Sequence, residues 1–267
     1  MTGSSIKTAL AISAVAALAC VTARAQTGFT DSLINEGTLN YVWTPLLYAG
    51  ASTGTAVSFS SGANGLGVNV SGFSGTAVQG VYFDTTGAFL PVGDMLTVSV
   101  NWQTTGANDF GIAVGSNPNP TAADGTTTDT RGQTDYLYAG IRATDGAGNA
   151  HVAASGTDGS VGQFALLQAQ NLQTPIVSLA IARTSDSTFS IYYQTNGSSD
   201  YTLLGTDTFT TSTTVGTTIG FYTDVRGNGT PRLGDLFNLA IVPVPEPSTV
   251  AFLGMSVACL AWLRRKF

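Results

Sequence analysis

The stretch LAIARTSDSTFSIYYQTNGSSDYTLLGTDTF, Leu179–Phe209, carries the pattern that decides the fold. In TFSIYYQ, Phe189, Ile191 and Tyr193 alternate with Ser190, Tyr192 and Gln194. Strict period-two alternation places one set on an apolar face and the other on a polar face of a β-strand. Just upstream, in IVSLAIAR, Val177, Leu179 and Ile181 share a face in the same way. Ser185-Asp186-Ser187 and Asn196-Gly197 sit between the alternating runs, and both are turn chemistry. The stretch therefore predicts strand, tight turn, strand, turn, strand.

The same rhythm extends outward. In MLTVSVNWQ, Leu96, Val98, Val100 and Trp102 face one way, and Phe237, Leu239 and Ile241 repeat the pattern near the end of the domain. Asp145-Gly146 and Gly227-Asn228-Gly229 supply further turns. About a dozen short strands and no helical pattern long enough for a crossover predict an all-β sandwich or barrel over residues 26–242, and the Gly/Thr-rich spacing favours the two-sheet antiparallel sandwich. Gly115–Thr134 is polar and turn-rich, and reads as a long surface loop of that single domain.

Composition excludes several function classes. Both cysteines, Cys20 and Cys259, lie outside residues 26–242, so the domain has no disulfide, thiolate zinc site or cysteine nucleophile. Within it, five arginines and no lysine face fourteen aspartates and one glutamate, a net charge of −10. Nucleic-acid binding rests on basic contacts to phosphate, so no nucleic-acid partner is expected.

Catalytic patterns are equally thin. Glycoside hydrolysis wants two facing carboxylates. Glu36 stands alone, and most aspartates occupy turn contexts beside Gly, Thr or Asn. His151, the only histidine, has no Gly-x-Ser-x-Gly nucleophile to serve and reads as a strand-edge residue. Oxygen donors for calcium are offered by Asp145 and Asn149 in TDGAGN, or by Asp129 and Asp135 in TDTRGQTD. Neither has the spacing of a dedicated calcium loop. Aromatic platforms for sugar are offered by Trp43, Trp102, Tyr136, Tyr138, Tyr192 and Tyr222. Trp102 is in phase with the core-facing set, whereas Tyr192 is out of phase with Phe189 and Ile191. Tyr192 and Tyr136 are taken as candidate carbohydrate-binding residues.

The two ends carry a different message. Residues 1–25 have a basic Lys7, an apolar stretch from Ala9 to Val21 and Ala23-Arg24-Ala25, which predicts a secretory signal peptide cut between Ala25 and Gln26. At the other end, residues 243–267 contain Pro245, Glu246 and Pro247, then an uncharged run Thr249–Leu263, then Arg264, Arg265 and Lys266. The run is expected to form a transmembrane helix, because a helix satisfies its own backbone groups in lipid. Fifteen residues at ~1.5 Å per residue give roughly 22 Å, short of the ~30 Å hydrocarbon core, so such a helix spans with bilayer thinning or snorkelling flanks. The terminal basic cluster favours the cytoplasmic side and places the domain outside the inner membrane.

Two resemblances follow from these residues. Pro-Glu-Pro, a short apolar helix and a terminal Arg cluster resemble the PEP-CTERM sorting signal of exopolysaccharide-producing bacteria. That resemblance implies an exosortase partner that recognises Pro245, Glu246 and Pro247 and cuts nearby, and delivery to the cell surface or matrix. Leu179–Phe209 and Ile219–Ile241 are similar to concanavalin/laminin-G-like jelly rolls, with Asn196-Gly197 where Asp-Gly is usual and Tyr201 where Trp is usual. This implies architecture and transfers no catalytic residue. The expectation is a secreted, non-catalytic protein that binds exopolysaccharide. Its rivals are a glycoside hydrolase or polysaccharide lyase on the same sandwich, and an adhesin anchored by an uncut tail.

Overall fold

The computed structural model describes residues 29–34, 43–49, 56–71, 78–84, 88–102, 108–116, 135–143, 150–158, 162–210, 215–216, 218–225 and 232–244. Among them are sixteen strands in two antiparallel sheets and no helix. The first sheet runs, in spatial order, β14 (Thr202–Thr208), β13 (Thr188–Thr195), β12 (Ile176–Arg183), β6 (Asp94–Trp102), β16 (Arg232–Pro243), β4 (Gly65–Ser71) and β3 (Ala56–Gly62). A short β1 (Thr30–Asp31) also pairs with β16. The second sheet runs β10 (Gly162–Gln163), β9 (Ala150–Asp158), β8 (Tyr136–Ala143), β7 (Asn108–Gly115), β15 (Thr218–Val225), β5 (Val78–Asp84) and β2 (Trp43–Ala49). Here β11 (Leu167–Leu172) also pairs with β9. The two-sheet antiparallel sandwich expected from the sequence is the architecture observed.

Alternation builds the core. Leu96, Val98 and Val100 of β6, Leu179 and Ile181 of β12, and Phe189 and Ile191 of β13 turn inward against the second sheet. That sheet answers with Phe110, Ile112 and Val114 of β7, Ile141 of β8 and Phe221 of β15. Tyr193 packs against the same cluster from the end of β13. The hairpin of β13 and β14 turns where the sequence places it: Ser198 N–H donates to Thr195 O, and Gly197 takes φ +82°.

Two strands break the expected phase, each at a bulge. In β16 the pairing with β6 shifts between Phe237 and Ala240, and Asn238 adopts φ 53° with its N–H donating to Ser32 O. The extra residue puts Leu236, Leu239 and Ile241 in the core, and Phe237 is only half-buried outside it. In β12 a shift between Ile176 and Ser178 puts Ile176 in the core instead of Val177. One added residue reverses the face of everything beyond it, which simple alternation cannot foresee. His151 also departs from its reading as a strand-edge residue: it lies within the second sheet opposite Arg142, with β11 on the far side of β9.

Arg183 ends β12 as a buried pin. Its guanidinium donates to Leu90 O at 3.1 Å and Asp186 O at 3.0 Å, while Nε reaches Ser185 O at 3.3 Å. The charge also lies 5.9 Å from the Phe189 ring centre. Burial pulls its pKa below the ordinary arginine range, with Asp186 opposing. These bonds fix the turn between β12 and β13 and the entry to β6.

Candidate functional site

The outward face of the first sheet is hollowed by its own sequence. Because Leu179 and Ile181 point inward, Ser178, Ala180 and Ala182 point outward, and all three are small. Larger neighbours stand on either side. Met95 comes from β6, Val242 and Val244 from the end of β16, and Tyr192 from β13, with Tyr201 folding over from the loop that precedes β14. Between them lies a pocket of about 310 Å³, lined among the described residues by Met95, Tyr192, Ser199, Asp200, Tyr201 and Val244.

Tyr201 is held by a directional bond. Its hydroxyl lies 2.7 Å from Ser178 Oγ, and Ser178 Oγ lies 2.8 Å from Val98 O. A carbonyl can only accept, so Ser178 donates its single proton to Val98 O and accepts one from Tyr201. The ring is thereby fixed against the sheet, and the lone pairs of its oxygen remain acceptors. The loop beside it is equally built. Ser198 Oγ donates to Asp200 O, Asp200 N–H donates to Ser198 Oγ, and Ser199 Oγ donates to Asp200 Oδ1 at 3.1 Å. Gln194 Nε2 ties the loop to β13 through Ser198 O at 2.8 Å. The exposed Asp200 carboxylate is the one anionic group in the described lining. A carboxylate pair of the kind that cleaves a glycosidic bond is not assembled by these six residues.

The sugar-platform candidates separate on burial. Tyr192 is half-buried on the pocket wall, in keeping with its phase. Tyr136 is fully buried, which corrects its reading as a platform. It belongs to a cluster on the outward face of the second sheet, with Ala113, Tyr138 and Tyr222, and both of these tyrosines are buried too. Tyr138 and Tyr222 stack at 3.7 Å and 8°, and Tyr136 lies 6.3 Å from Tyr222. The stack joins β8 to β15 across the intervening β7. Ala113 opposite Tyr138 and Gly111 opposite Tyr222 are small enough to let the rings meet. The side chains of Trp43 and Trp102 lie outside the described residues, as do Asp145, Asn149 and Asp129. No group of three or more His, Cys, Asp or Glu suited to a metal ion occurs among the described residues.

Sequence reasoning missed Tyr201 as a pocket wall and missed the buried acids that close the sandwich edge. Asp158 of β9 accepts from Thr210 N–H at 2.6 Å and from Thr210 Oγ1 at 2.7 Å, clasping the second sheet to the segment after β14. Asp207 is buried opposite Phe189, its Oδ2 has no hydrogen-bond donor, and desolvation pushes its pKa up. A stripe of small outward residues along one strand was the legible signal for the hollow.

The polypeptide leaves the fold at the pocket. β16 ends at Pro243, and Val244 N–H donates to Gly93 O at 3.0 Å while its side chain lines the pocket. Residues 243–266 match the PEP-CTERM protein-sorting motif. The tail is a PEP-CTERM sorting motif. It overlaps β16 by one residue, so nothing separates the sheet from the signal. The apolar run 249–263 and the leader 1–25 lie outside the described residues, and no described helix is long and apolar enough to cross a membrane.

No curated protein sequence matches the chain. Similar solved structures include the exoplasmic/lumenal domain of VIP36 in its Ca2+- and mannose-bound form, at 11% identity and TM-score 0.45, covering 83% of this chain and 91% of that one. Lectin II from Ulex europaeus is 11% identical at TM-score 0.46, with 81% and 98% covered. The legume lectin-like domain from Entamoeba histolytica is 10% identical at TM-score 0.44, with 70% and 87% covered. The second is named a lectin and the third a legume lectin-like domain; the pocket described above is argued from its own residues.

Proposed function

We propose that this protein is an exported, exosortase-sorted component of the cell surface or extracellular matrix, whose sandwich binds a neutral exopolysaccharide without cleaving it. The sorting half rests on one observation: the sorting motif begins within the last strand of the fold, so the signal and the sandwich are one continuous object. In this reading the signal peptide is removed between Ala25 and Gln26. The helix 249–263 holds the chain in the inner membrane with Arg264, Arg265 and Lys266 on the cytoplasmic side. Exosortase then reads Pro245, Glu246 and Pro247.

The binding half rests on the pocket. Tyr192 and Tyr201 offer ring surface, Met95 and Val244 an apolar floor, and Ser199, Asp200 and the Tyr201 oxygen offer hydrogen bonds. A volume of about 310 Å³ suits one or two sugar rings and is at the small end of ligand sites, which run from ~300 to ~1,000 Å³. An acidic lining residue and a strongly negative domain disfavour anionic polymers. Calcium bound through Asp145 and Asn149 would be a separate, structural addition.

Deleting Pro245–Phe267 while keeping Val244 should strand the protein in the periplasm or release it to the medium, scored by fractionation. Unchanged surface retention would defeat the sorting reading. For binding, the mature protein is applied to immobilised neutral and uronic-acid polysaccharides beside its Tyr192→Ala variant. Retention on neutral polymers that the variant loses is expected. Equal retention of the two proteins would remove the pocket from the account.

A further inference from the structure

We propose that Asn196 is a site of self-modification: the backbone nitrogen of Gly197 displaces its side-chain amide, and the isoaspartate that forms loosens the wall of the pocket. Loss of the amide stands on the hairpin tip alone, whereas its effect on sugar retention rests on the binding reading above. An asparagine side chain carries its Cγ within reach of the next backbone nitrogen, which makes the residue thermolabile. Glycine is the follower that shields that nitrogen least, because it has no Cβ. The chain holds three such pairs, Asn64-Gly65, Asn196-Gly197 and Asn228-Gly229. The first two lie among the described residues, and both sit at hairpin tips.

Their surroundings are opposite. Asn64 is exposed, but Gly65 is buried and is already a rung of the ladder between β3 and β4, paired with Gly62. Gly65 also presses on β16, where an added Cβ would collide with Leu236 O. Its nitrogen reaches Asn64 Cγ only by opening the hairpin. Asn196 and Gly197, by contrast, are both exposed. Gly197 takes φ +82°, and nothing lies within 4 Å of where its Cβ would be. Ser198 N–H closes the turn by donating to Thr195 O, while Asn196 N–H donates to Pro175 O. Neither bond uses the Gly197 N–H or the Asn196 side chain, and neither of these groups has a hydrogen-bond partner among the described residues. The turn needs glycine for its positive φ, and the same glycine leaves the asparagine open to attack.

The steps balance with water as the one reagent. The Gly197 nitrogen gives its proton to solvent and bonds to Asn196 Cγ. The C–N bond to the side-chain nitrogen breaks, and ammonia leaves with a proton taken from water. The product is a five-membered imide. Water then adds to one of its two carbonyls, and a ring C–N bond breaks. Opening at the Cγ carbonyl gives aspartate. Opening at the backbone carbonyl gives isoaspartate, whose chain runs through Cβ and Cγ and is one atom longer.

The longer chain no longer fits a turn closed by Ser198 N–H on Thr195 O. Ser198 is the hub of the loop that walls the pocket: its carbonyl accepts from Gln194 Nε2, and its hydroxyl bonds both the N–H and the carbonyl of Asp200. Ser199, Asp200 and Tyr201 follow it into the lining. Isoaspartate at position 196 therefore frees that stretch from β13 and adds a negative charge beside it.

The mature protein is incubated in mildly alkaline buffer beside its Asn196→Gln variant, whose longer side chain removes the five-membered route. Peptide mapping by mass, with an isoaspartyl methyltransferase label, reads conversion residue by residue. Retention on neutral polysaccharide is read on the same samples. Conversion at Asn196 should far outpace that at Asn64, slow in mildly acidic buffer, and be matched by loss of retention in the wild type alone. An intact Asn196, or Asn64 converting at the same rate, overturns the site. Conversion at Asn196 with retention unchanged overturns its coupling to the pocket. If fresh protein binds no neutral polysaccharide, the binding reading fails, while conversion at Asn196 still upholds the modification.

Discussion

The outward faces of the two sheets use the same residue type to opposite ends. On the second sheet Tyr136, Tyr138 and Tyr222 stack on one another and are buried. On the first sheet Tyr192 and Tyr201 stand half-buried around a hollow. The difference begins in the neighbouring strand. Gly111 and Ala113 of β7 allow two rings from flanking strands to close over it. Ser178, Ala180 and Ala182 of β12 meet one tyrosine from β13 and one from a loop, and Ser178 bonds the hydroxyl of the second. Small residues on a middle strand thus make either a sealed stack or an open pocket, depending on what their neighbours present.

The largest expected effect tests the sealed side. Tyr222→Ala removes the ring that both other tyrosines pack against, and truncating a buried aromatic costs about 3–5 kcal/mol. Urea denaturation should show that loss, while Tyr192→Ala on the open side should cost well under half as much. Equal losses would erase the distinction between the faces. A second effect lies at the seam between them, at Asp207. Its pKa is raised by burial, so the wild type is favoured while the group is protonated. That contribution is complete below the ordinary aspartate value of 3.8 and is lost as pH rises through the higher folded value. Asp207→Asn should therefore be the more stable protein at neutral pH, with the advantage vanishing on acidification. A pH-independent difference in urea midpoint would show that the carboxyl is not the cause.

How much of this was legible depends on what decides each feature. The inward faces of β6 and β13 followed from alternation, because Leu96, Val98, Val100, Phe189 and Ile191 obey period two without interruption. Val177 and Phe237 were misplaced because bulges at Ile176–Ser178 and Phe237–Ala240 change phase through one residue whose conformation no pattern announces. Tyr136 was misjudged for another reason. Alternation says that a side chain points away from the core, not whether it is covered there. The sorting motif was readable because its signal is local: Pro245, Glu246 and Pro247, the apolar run and the basic end lie consecutively. Tyr201 was visible as a substitution for the usual tryptophan, but its partner Ser178 is 23 residues away, and only the fold brings them together.

That pair gives the smallest effect and the sharpest one. Tyr201→Phe deletes the hydroxyl that donates to Ser178, and Ser178 then keeps its own bond to Val98 O. No buried donor is stranded, so the cost should be near the ordinary ~1 kcal/mol of one hydrogen bond. Ser178→Ala is different, because it removes the acceptor of the tyrosine and the donor to the carbonyl together. If the two hydroxyls act as a chain, the double variant should lose less than the two single losses added, with a coupling of about 0.5–1 kcal/mol. Additive losses in urea denaturation would mean that Tyr201 is held by packing alone. In that case Ser178→Ala would leave polysaccharide retention intact, because the ring and its oxygen would keep their place. A measurable coupling instead ties the shape of the pocket to a single proton shared between a loop and the centre of the sheet.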